Sequence, residues 1–215
     1  MTGNGSELGG TFALGRRYVH RAGYGAMQLA GDGVFGPPRD RDEALRVLRT
    51  AAAAGVDHID TAQYYGAGTV NELIREALHP YPPGLALVSK VAAPRDAGGN
   101  LFNLSDQRSR DVLAECRLRN IAFVPFCPLG WPGKERHRLL TNPILAALAV
   151  RLDATPAQVA LAWLLDLAPN ILLIPGTRTR AHLTENLDAA SVRLDDAAHA
   201  ELTRHFPPLL QEVSP

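Results

Sequence analysis

The stretch DTAQYYG, residues 60–66, decides how this sequence is interpreted. It follows GVDHI, residues 55–59, a pattern that predicts a short strand entered from a glycine turn. Asp60 then ends the strand, Tyr65 lies in the loop, and Lys90 ends the next apolar run. An acid, a phenol and an amine at successive strand ends indicate a proton-transfer site. The carboxylate would hold the ammonium, and the ammonium would lower the pKa of the phenol, which is about 10 when free.

Strands and helices alternate along the chain, which predicts a parallel sheet with helices outside it. Residues 1–18 are expected to form a loose tail and a hairpin, and residues 131–138 a polar loop. The interval between Lys90 and Ile121 holds one helix, too little chain for three further strand–helix units of roughly 30 residues each. The predicted strands are residues 23–27, 56–60, 85–91, 121–126 and 171–174, and the predicted helices are residues 40–54, 69–78, 105–119, 142–151, 156–167, 180–188 and 195–205.

The motif D-T-A-x-x-Y-G, followed one strand later by a lysine, resembles the aldo-keto reductases. The resemblance implies a (β/α)8 TIM-type barrel that moves a hydride between NADPH and a carbonyl, with Asp60, Tyr65 and Lys90 as catalytic residues. It extends over residues 21–91 and 100–194 and places an internal deletion near residues 98–100. The barrel is therefore expected to be incomplete, without its fourth and fifth strands and most of the sixth. Three outcomes stay open: an open sheet with edges, closure by a second copy, or a truncated gene product.

The family's fourth catalytic residue is a histidine at the end of the fourth barrel strand, and the sequence offers no counterpart. His58 shares a strand face with Asp60 but lies one layer deeper, roughly 6–7 Å along the strand. Barrel packing is the preferred interpretation of His58. The resemblance therefore implies a reductase of aldehydes or ketones that is weakened by the missing sector. The alternative is a non-catalytic nucleotide-binding protein or scaffold remnant of the family.

A second segment, IPGTRTRAHLTEN at residues 174–186, resembles the part of the family that binds the adenosine phosphate. The resemblance implies that Arg178, with Arg180 or His182, pairs with the 2′-phosphate that distinguishes NADP from NAD. It also implies that Phe126 stacks on the nicotinamide. The full set of cofactor-binding residues implied is Gly25, Ala26, Met27, Phe126, Cys127, Pro128, Leu129, Gly130, Ile174, Pro175, Gly176, Thr177, Arg178, Arg180, His182, Glu185 and Asn186.

The amino-acid composition limits which partners, metal sites and membrane segments the chain can have. Lys plus Arg equals Asp plus Glu, so the formal net charge of zero argues against nucleic acid or an anionic membrane as partner. Cys116 and Cys127 show neither metal-ligand spacing nor a disulfide framework, and no apolar run reaches membrane-spanning length. We expect a single cytoplasmic domain over residues 1–215 without a metal, acting on a small carbonyl substrate with NADPH/NADP and able to self-associate through its incomplete barrel.

Overall fold

The structure is a computed structural model that describes residues 7–90, 107–125, 127–130 and 133–206. Strands and helices alternate as expected. The strands are β1 (Thr11–Leu14), β2 (Arg17–His20), β3 (Tyr24–Gly25), β4 (His58–Ala62) and β5 (Ala86–Lys90). The helices are α1 (Arg41–Ala53), α2 (Thr69–Leu78), α3 (Gln107–Leu118), α4 (Lys134–Leu140), α5 (Pro143–Arg151), α6 (Pro156–Leu167), α7 (Arg180–Asp188) and α8 (Asp196–His205).

The strands β3, β4 and β5 form a parallel sheet in that order. Single parallel bridges extend it: Ala22 and Gly25 pair with Leu173 and Gly176, and Phe123 pairs with Ile171. The order across the sheet is therefore residues 121–125, residues 171–176, β3, β4 and β5. Within the described part of the chain, β5 and residues 121–125 each have a neighbouring strand on one side only. The expected fold class is confirmed as an incomplete α/β barrel type, with five strand positions in the described ranges.

Two expectations about local structure were wrong. Residues 131–138 were predicted to be loop, but α4 begins at Lys134, because KERHRLL is free of glycine and proline and its two leucines pack on the core. The predicted strands at 121–126 and 171–174 form single bridges instead of ladders. Within the described ranges, residues 121–125 have no second neighbour, and residues 171–174 are followed directly by Pro175, which has no N–H to donate.

Helices cover the outside of the sheet and form one continuous core with it. Helix α1 begins after Asp40, whose side chain accepts a hydrogen bond from the Glu43 backbone N–H. Helix α6 begins with a capping box between Thr155 and Gln158. All five residues of β4 are buried between these layers. Among the described residues no single helix could cross a membrane; α5 and α6 pass that test only as a pair bent by 90°.

The predicted hairpin is present as β1 and β2, which pair antiparallel across Gly15. It lies at the amino-terminal ends of the strands, since the His20 backbone N–H donates to Asp57, the residue before β4. Directly after the hairpin, Arg21 donates to the backbone oxygens of Ala168 at 2.8 Å and Ile171 at 3.2 Å. Arg21 also donates to the backbone oxygens of Leu165 and Gly9. One half-buried guanidinium thus fastens the beginning of the chain to the end of α6.

Candidate active site

Asp60 and Lys90 meet at the carboxyl ends of two neighbouring parallel strands. Asp60 pairs in register with Val88, and Lys90 with Ala62, so the two side chains lie on the same face of the sheet. The Lys90 ammonium donates to Asp60 Oδ2 and lies 3.4 Å from the Thr61 backbone oxygen. The expected contact between acid and amine is therefore present.

Tyr65 begins the 3-10 turn that follows β4. This turn needs glycine at its second position: Gly66 has φ +58°, and a Cβ there would lie 2.5 Å from the Gly36 backbone oxygen. The Tyr65 side chain is only 2% exposed. The Lys90 Nζ lies 5.1 Å from the centroid of the Tyr65 ring, a distance at which an ammonium attracts the ring face. Acid, phenol and amine thus converge.

The protonation of Tyr65 differs from the expectation. Burial raises the pKa of Tyr65, and the Asp60 carboxylate and the neighbouring Tyr64 raise it further. The expectation of a lowered pKa was wrong in its net direction, because burial penalises the phenolate and the Lys90 ammonium is already paired with Asp60. Burial also raises the pKa of Asp60, despite the opposing effect of Lys90. Tyr65 is consequently a protonated hydroxyl at neutral pH, able to donate but not to accept a proton.

The three residues line one cavity of about 50 Å³. Pockets that enclose drug-sized ligands have about 300–1,000 Å³, so the cavity formed by the described residues is well below that range. Among the described residues, no histidine lines it. The cavity also includes two residues that the sequence did not reveal, Gln28 and Arg136. The predicted cofactor residues that line it are Gly25, Met27, Cys127, Pro128, Leu129, Ile174, Pro175 and Gly176.

One side of this cavity is bare backbone, where β3 meets residues 174–176. A Cβ on Gly25 would lie 2.4 Å from the Ile174 backbone oxygen, and a Cβ on Gly176 would lie 2.8 Å from the Gly25 backbone oxygen. Both positions therefore require glycine. The next predicted residue, Ala26, is fully buried in the core and does not line the cavity.

The loop after residue 125 holds the remaining predicted contacts on this side. Phe126 lies outside the described residues, as does the expected deletion near residues 98–100. Cys127 has φ +46°, and burial raises the pKa of its thiol to about 11, so it is not a nucleophile at neutral pH. Gly130, with φ +80°, packs against the first turn of α4, where a Cβ would lie 3.3 Å from the Arg136 backbone nitrogen. That contact sets α4 beside the cavity.

The predicted adenosine segment is ordered by its own hydrogen bonds. The Tyr24 hydroxyl donates to the Thr177 backbone oxygen at 2.6 Å, and Thr177 is buried. Thr155 donates from Oγ1 to Glu185 Oε1 at 2.6 Å, which fixes Glu185 against α6. Asn186 is buried beside it, whereas His182 is exposed. The segment thus presents its exposed groups at the start of α7.

Arg178 and Arg180 have different surroundings. The backbone N–H and the Nε of Arg180 both lie 3.2 Å from Glu43 Oε1 and donate to it. Arg46 also donates to Glu43, and these contacts lower the pKa of Glu43 to about 2. Arg178 forms no ion pair within the described ranges and lines a second cavity, of about 260 Å³, with Thr179 and the start of α1. Of the two arginines predicted to bind the phosphate, only Arg178 has a side chain without an ion pair among the described residues.

The comparison with known sequences agrees with this arrangement. The sequence model of the Aldo/keto reductase family matches residues 21–100 and 96–206. The chain belongs to the aldo/keto reductase family. The part of the chain that the structure describes contains no cluster of His, Cys, Asp or Glu side chains that could hold a metal ion.

The relatives are longer than this aldo/keto reductase. It is 37% identical to pyridoxine 4-dehydrogenase of Escherichia coli (strain K12) over 275 aligned residues, covering 86% of this chain and 94% of that protein. It is 27% identical to an uncharacterized oxidoreductase of Schizosaccharomyces pombe (strain 972 / ATCC 24843), covering 90% and 89%. The first alignment is longer than the 215 residues of the chain, so that relative contains residues that this one lacks.

Solved structures confirm the barrel fold of this aldo/keto reductase. An aldo-keto reductase from Klebsiella pneumoniae in complex with NADPH superposes with a TM-score of 0.72 at 19% identity, covering 92% of this chain and 94% of that one. The thermostable aldo-keto reductase Tm1743 gives a TM-score of 0.73 at 22% identity, covering 90% and 98%. The exact position of the missing sector stays a prediction.

Proposed function

We propose that this chain is an NADP(H)-dependent oxidoreductase that interconverts a small aldehyde or ketone and the corresponding alcohol. The observation that carries the proposal is the convergence of Asp60, Tyr65 and Lys90 on one cavity lined by the Gly25 and Gly176 backbone. The relative named pyridoxine 4-dehydrogenase and the neighbour in complex with NADPH support the same class of chemistry.

The residues fit a dinucleotide. Gly25 and Gly176 leave a bare backbone surface that any Cβ would fill, and Arg178 lies just before the start of α7. Arg178 supplies an uncommitted guanidinium for the phosphate that is specific to NADP. NADPH, when bound, supplies the hydride.

The protein's own task is to deliver a proton to the carbonyl oxygen. Tyr65 keeps its proton at neutral pH because burial and Asp60 raise its pKa. Once the hydroxyl has donated this proton, the resulting phenolate lies beside the Lys90 ammonium, which offsets the new negative charge. Asp60 holds that ammonium in place and thereby keeps Lys90 oriented towards Tyr65.

A second candidate is nucleotide binding without turnover. The small cavity, of about 50 Å³ and without a histidine in its lining, favours this alternative. His58 cannot supply the missing histidine from where it lies, because its ring packs against Gly23, one layer below Asp60. We therefore propose slow turnover, since loss of one positioned donor costs about 10² to 10³ in rate.

The experiment is NADPH oxidation with 9,10-phenanthrenequinone and 4-nitrobenzaldehyde, beside a fluorescence titration of NADPH. Replacement of Tyr65 by Phe should reduce residual turnover by about 10² to 10⁴ and leave NADPH affinity unchanged. Replacement of Tyr18 by Phe is the matched control, because Tyr18 is 76% exposed on the hairpin.

Turnover that survives Tyr65→Phe would contradict the mechanism. NADPH binding without turnover would favour the second candidate. Turnover of about 1 s⁻¹ or more would contradict the proposed slow turnover and would mean that another residue takes the place of the missing histidine.

A further inference from the structure

Among the described residues, Arg136 is the one charged residue of the cavity lining that neither the catalytic set nor the cofactor segment explains. Its Nε is buried and has no hydrogen-bond partner in the part of the chain that the structure describes. A guanidinium carries five donors and no acceptor, and a buried donor without a partner destabilises the fold. The other buried side-chain nitrogens without a partner belong to His20 and His58, at the opposite ends of the strands. Among the described residues, Arg136 alone combines such a nitrogen with a place in the lining of this cavity.

The charges that the described residues place around the cavity include no counterion for Arg136. Among these residues Asp60 is the only carboxylate that lines the cavity, and Lys90 is already paired with it. Two cations and one anion therefore face the same space, which attracts a negatively charged ligand. Burial lowers the pKa of Arg136, yet a guanidinium remains charged at neutral pH. Glu135, the neighbouring carboxylate, is exposed and does not line the cavity.

The position of Arg136 is fixed by its helix. The first turn of α4 packs against Gly130, and its last residues, Leu139 and Leu140, pack on the core. The Cys127 thiol lies within electrostatic range of both Arg136 and Lys90, and all three residues line the same cavity as Tyr65. A ligand in this cavity therefore lies among Tyr65, Lys90 and Arg136.

We propose that Arg136 recognises a carboxylate on the substrate, so that this chain prefers carbonyl compounds that carry a carboxylate group. The inference rests on the proposed function and names its substrate class. The planar guanidinium pairs with a carboxylate through two parallel hydrogen bonds. The cofactor diphosphate is the other anion that could reach Arg136. The substrate is favoured because Arg136 shares its cavity with Tyr65 and Lys90, whereas Arg178 lines the other cavity.

The test compares 4-carboxybenzaldehyde with its neutral ester, methyl 4-formylbenzoate, as substrates. Replacement of Arg136 by Met should reduce the preference for the acid by about tenfold to a hundredfold, through KM rather than kcat. The matched control is Arg138→Met, which removes an equal charge from an exposed position of the same helix. Arg136→Lys should fall between wild type and Arg136→Met, because lysine keeps the charge but not the two-pronged geometry.

A binding measurement separates this inference from the proposed function. Calorimetric titration of 4-(hydroxymethyl)benzoate and its methyl ester into the NADP-saturated protein needs no turnover. Tighter binding of the acid that disappears in Arg136→Met supports the inference even if neither aldehyde is reduced. Turnover of both aldehydes with an acid preference unchanged by Arg136→Met overturns the inference alone.

Two further outcomes also decide. If Arg136→Met weakens NADPH binding and leaves the acid preference intact, the guanidinium binds the cofactor diphosphate and the inference is wrong. If Arg136→Met does not fold, Arg136→Lys decides: an acid preference equal to that of wild type overturns the inference.

Discussion

Two adjacent strands of equal length differ in how fully they are buried. All five residues of β4 are buried, whereas those of β5 alternate between half-buried and exposed, with Leu87 41% exposed. At the other edge of the sheet, Ile121 and Val124 are 50% and 41% exposed. We call β3, β4 and residues 171–176 the closed side, and β5 with residues 121–125 the open side.

The difference shows that neighbouring strands, rather than strand composition, determine burial in this sheet. β4 has a strand on each side, and β5 has only β4 within the described ranges. The candidate active site spans the boundary, with Asp60 and Tyr65 on the closed side and Lys90 on the open side. The position of the proton donor, Tyr65, is therefore fixed by the closed side. The cation, Lys90, is held chiefly by its ion pair with Asp60.

The largest expected effect tests this difference in packing. Ile59→Ala on β4 should lower the free energy of unfolding by about 2–5 kcal/mol, because Ile59 is fully buried. Leu87→Ala on β5 should cost less than about 1 kcal/mol, since its side chain is already partly in water. Urea unfolding followed by circular dichroism measures both. Equal losses would show that β5 is as well packed as β4.

The next effect concerns the cofactor on the closed side. Arg178→Ala should weaken NADPH binding by about tenfold to a hundredfold, the cost of losing one charge-assisted hydrogen bond. NADH binding should not change. Arg180→Ala is the matched comparison and should have a smaller effect, because Glu43 already engages Arg180. A fluorescence titration in which NADH binds as tightly as NADPH would contradict the assignment of Arg178.

A smaller effect follows from the two tyrosines buried on the closed side. Burial raises the pKa of both Tyr24 and Tyr65 in the folded state. Their stabilising contribution is complete below the unfolded pKa of about 10 and is lost as the pH rises above it. The free energy of unfolding should fall by about 1.4 kcal/mol per pH unit for each tyrosine. Urea unfolding at several alkaline pH values should show a shallower fall in Tyr24→Phe. An identical slope in that variant would mean that Tyr24 ionises freely in the folded protein.

The smallest effect concerns association through the open side, which we propose as the site of self-contact. Leu87→Glu places a charge on the exposed edge and should shift the protein towards monomer, with little change in its unfolding free energy. Size-exclusion chromatography over a range of concentrations measures the shift. Tyr18→Glu is the control, since Tyr18 is exposed on the hairpin at the other end of the strands. Monomer at every concentration in the wild type would remove the proposal.

Local sequence signals predicted the helices well. Helices α2, α6 and α7 begin and end at the predicted residues. Their ends depend on residues close by in the sequence, namely capping residues such as Thr155 and helix-breaking residues such as Pro80. Strand ladders depend on partners far along the chain, and that is why residues 121–126 and 171–174 were predicted to form longer pairings than they do.

The same distinction applies to the candidate site. Asp60 and Lys90 could be predicted to meet because both end consecutive parallel strands. The Glu43–Arg180 pair joins two residues that are 137 positions apart in the sequence, so no local sequence pattern could predict it. Arg136 was missed because its segment was interpreted as loop. The direction of the Tyr65 pKa shift was missed because it depends on burial, which only packing determines.

The contacts of Arg21 have a consequence for the order in which the chain acquires its structure during synthesis. The carbonyl partners of this guanidinium at Leu165, Ala168 and Ile171 lie 144 to 150 residues further along the chain. A ribosome that adds about 5–20 residues per second needs on the order of ten seconds or more to produce them. During that interval the amino-terminal hairpin can form locally but cannot be fastened. The hairpin can therefore be anchored only after residues 165–171 have been synthesised.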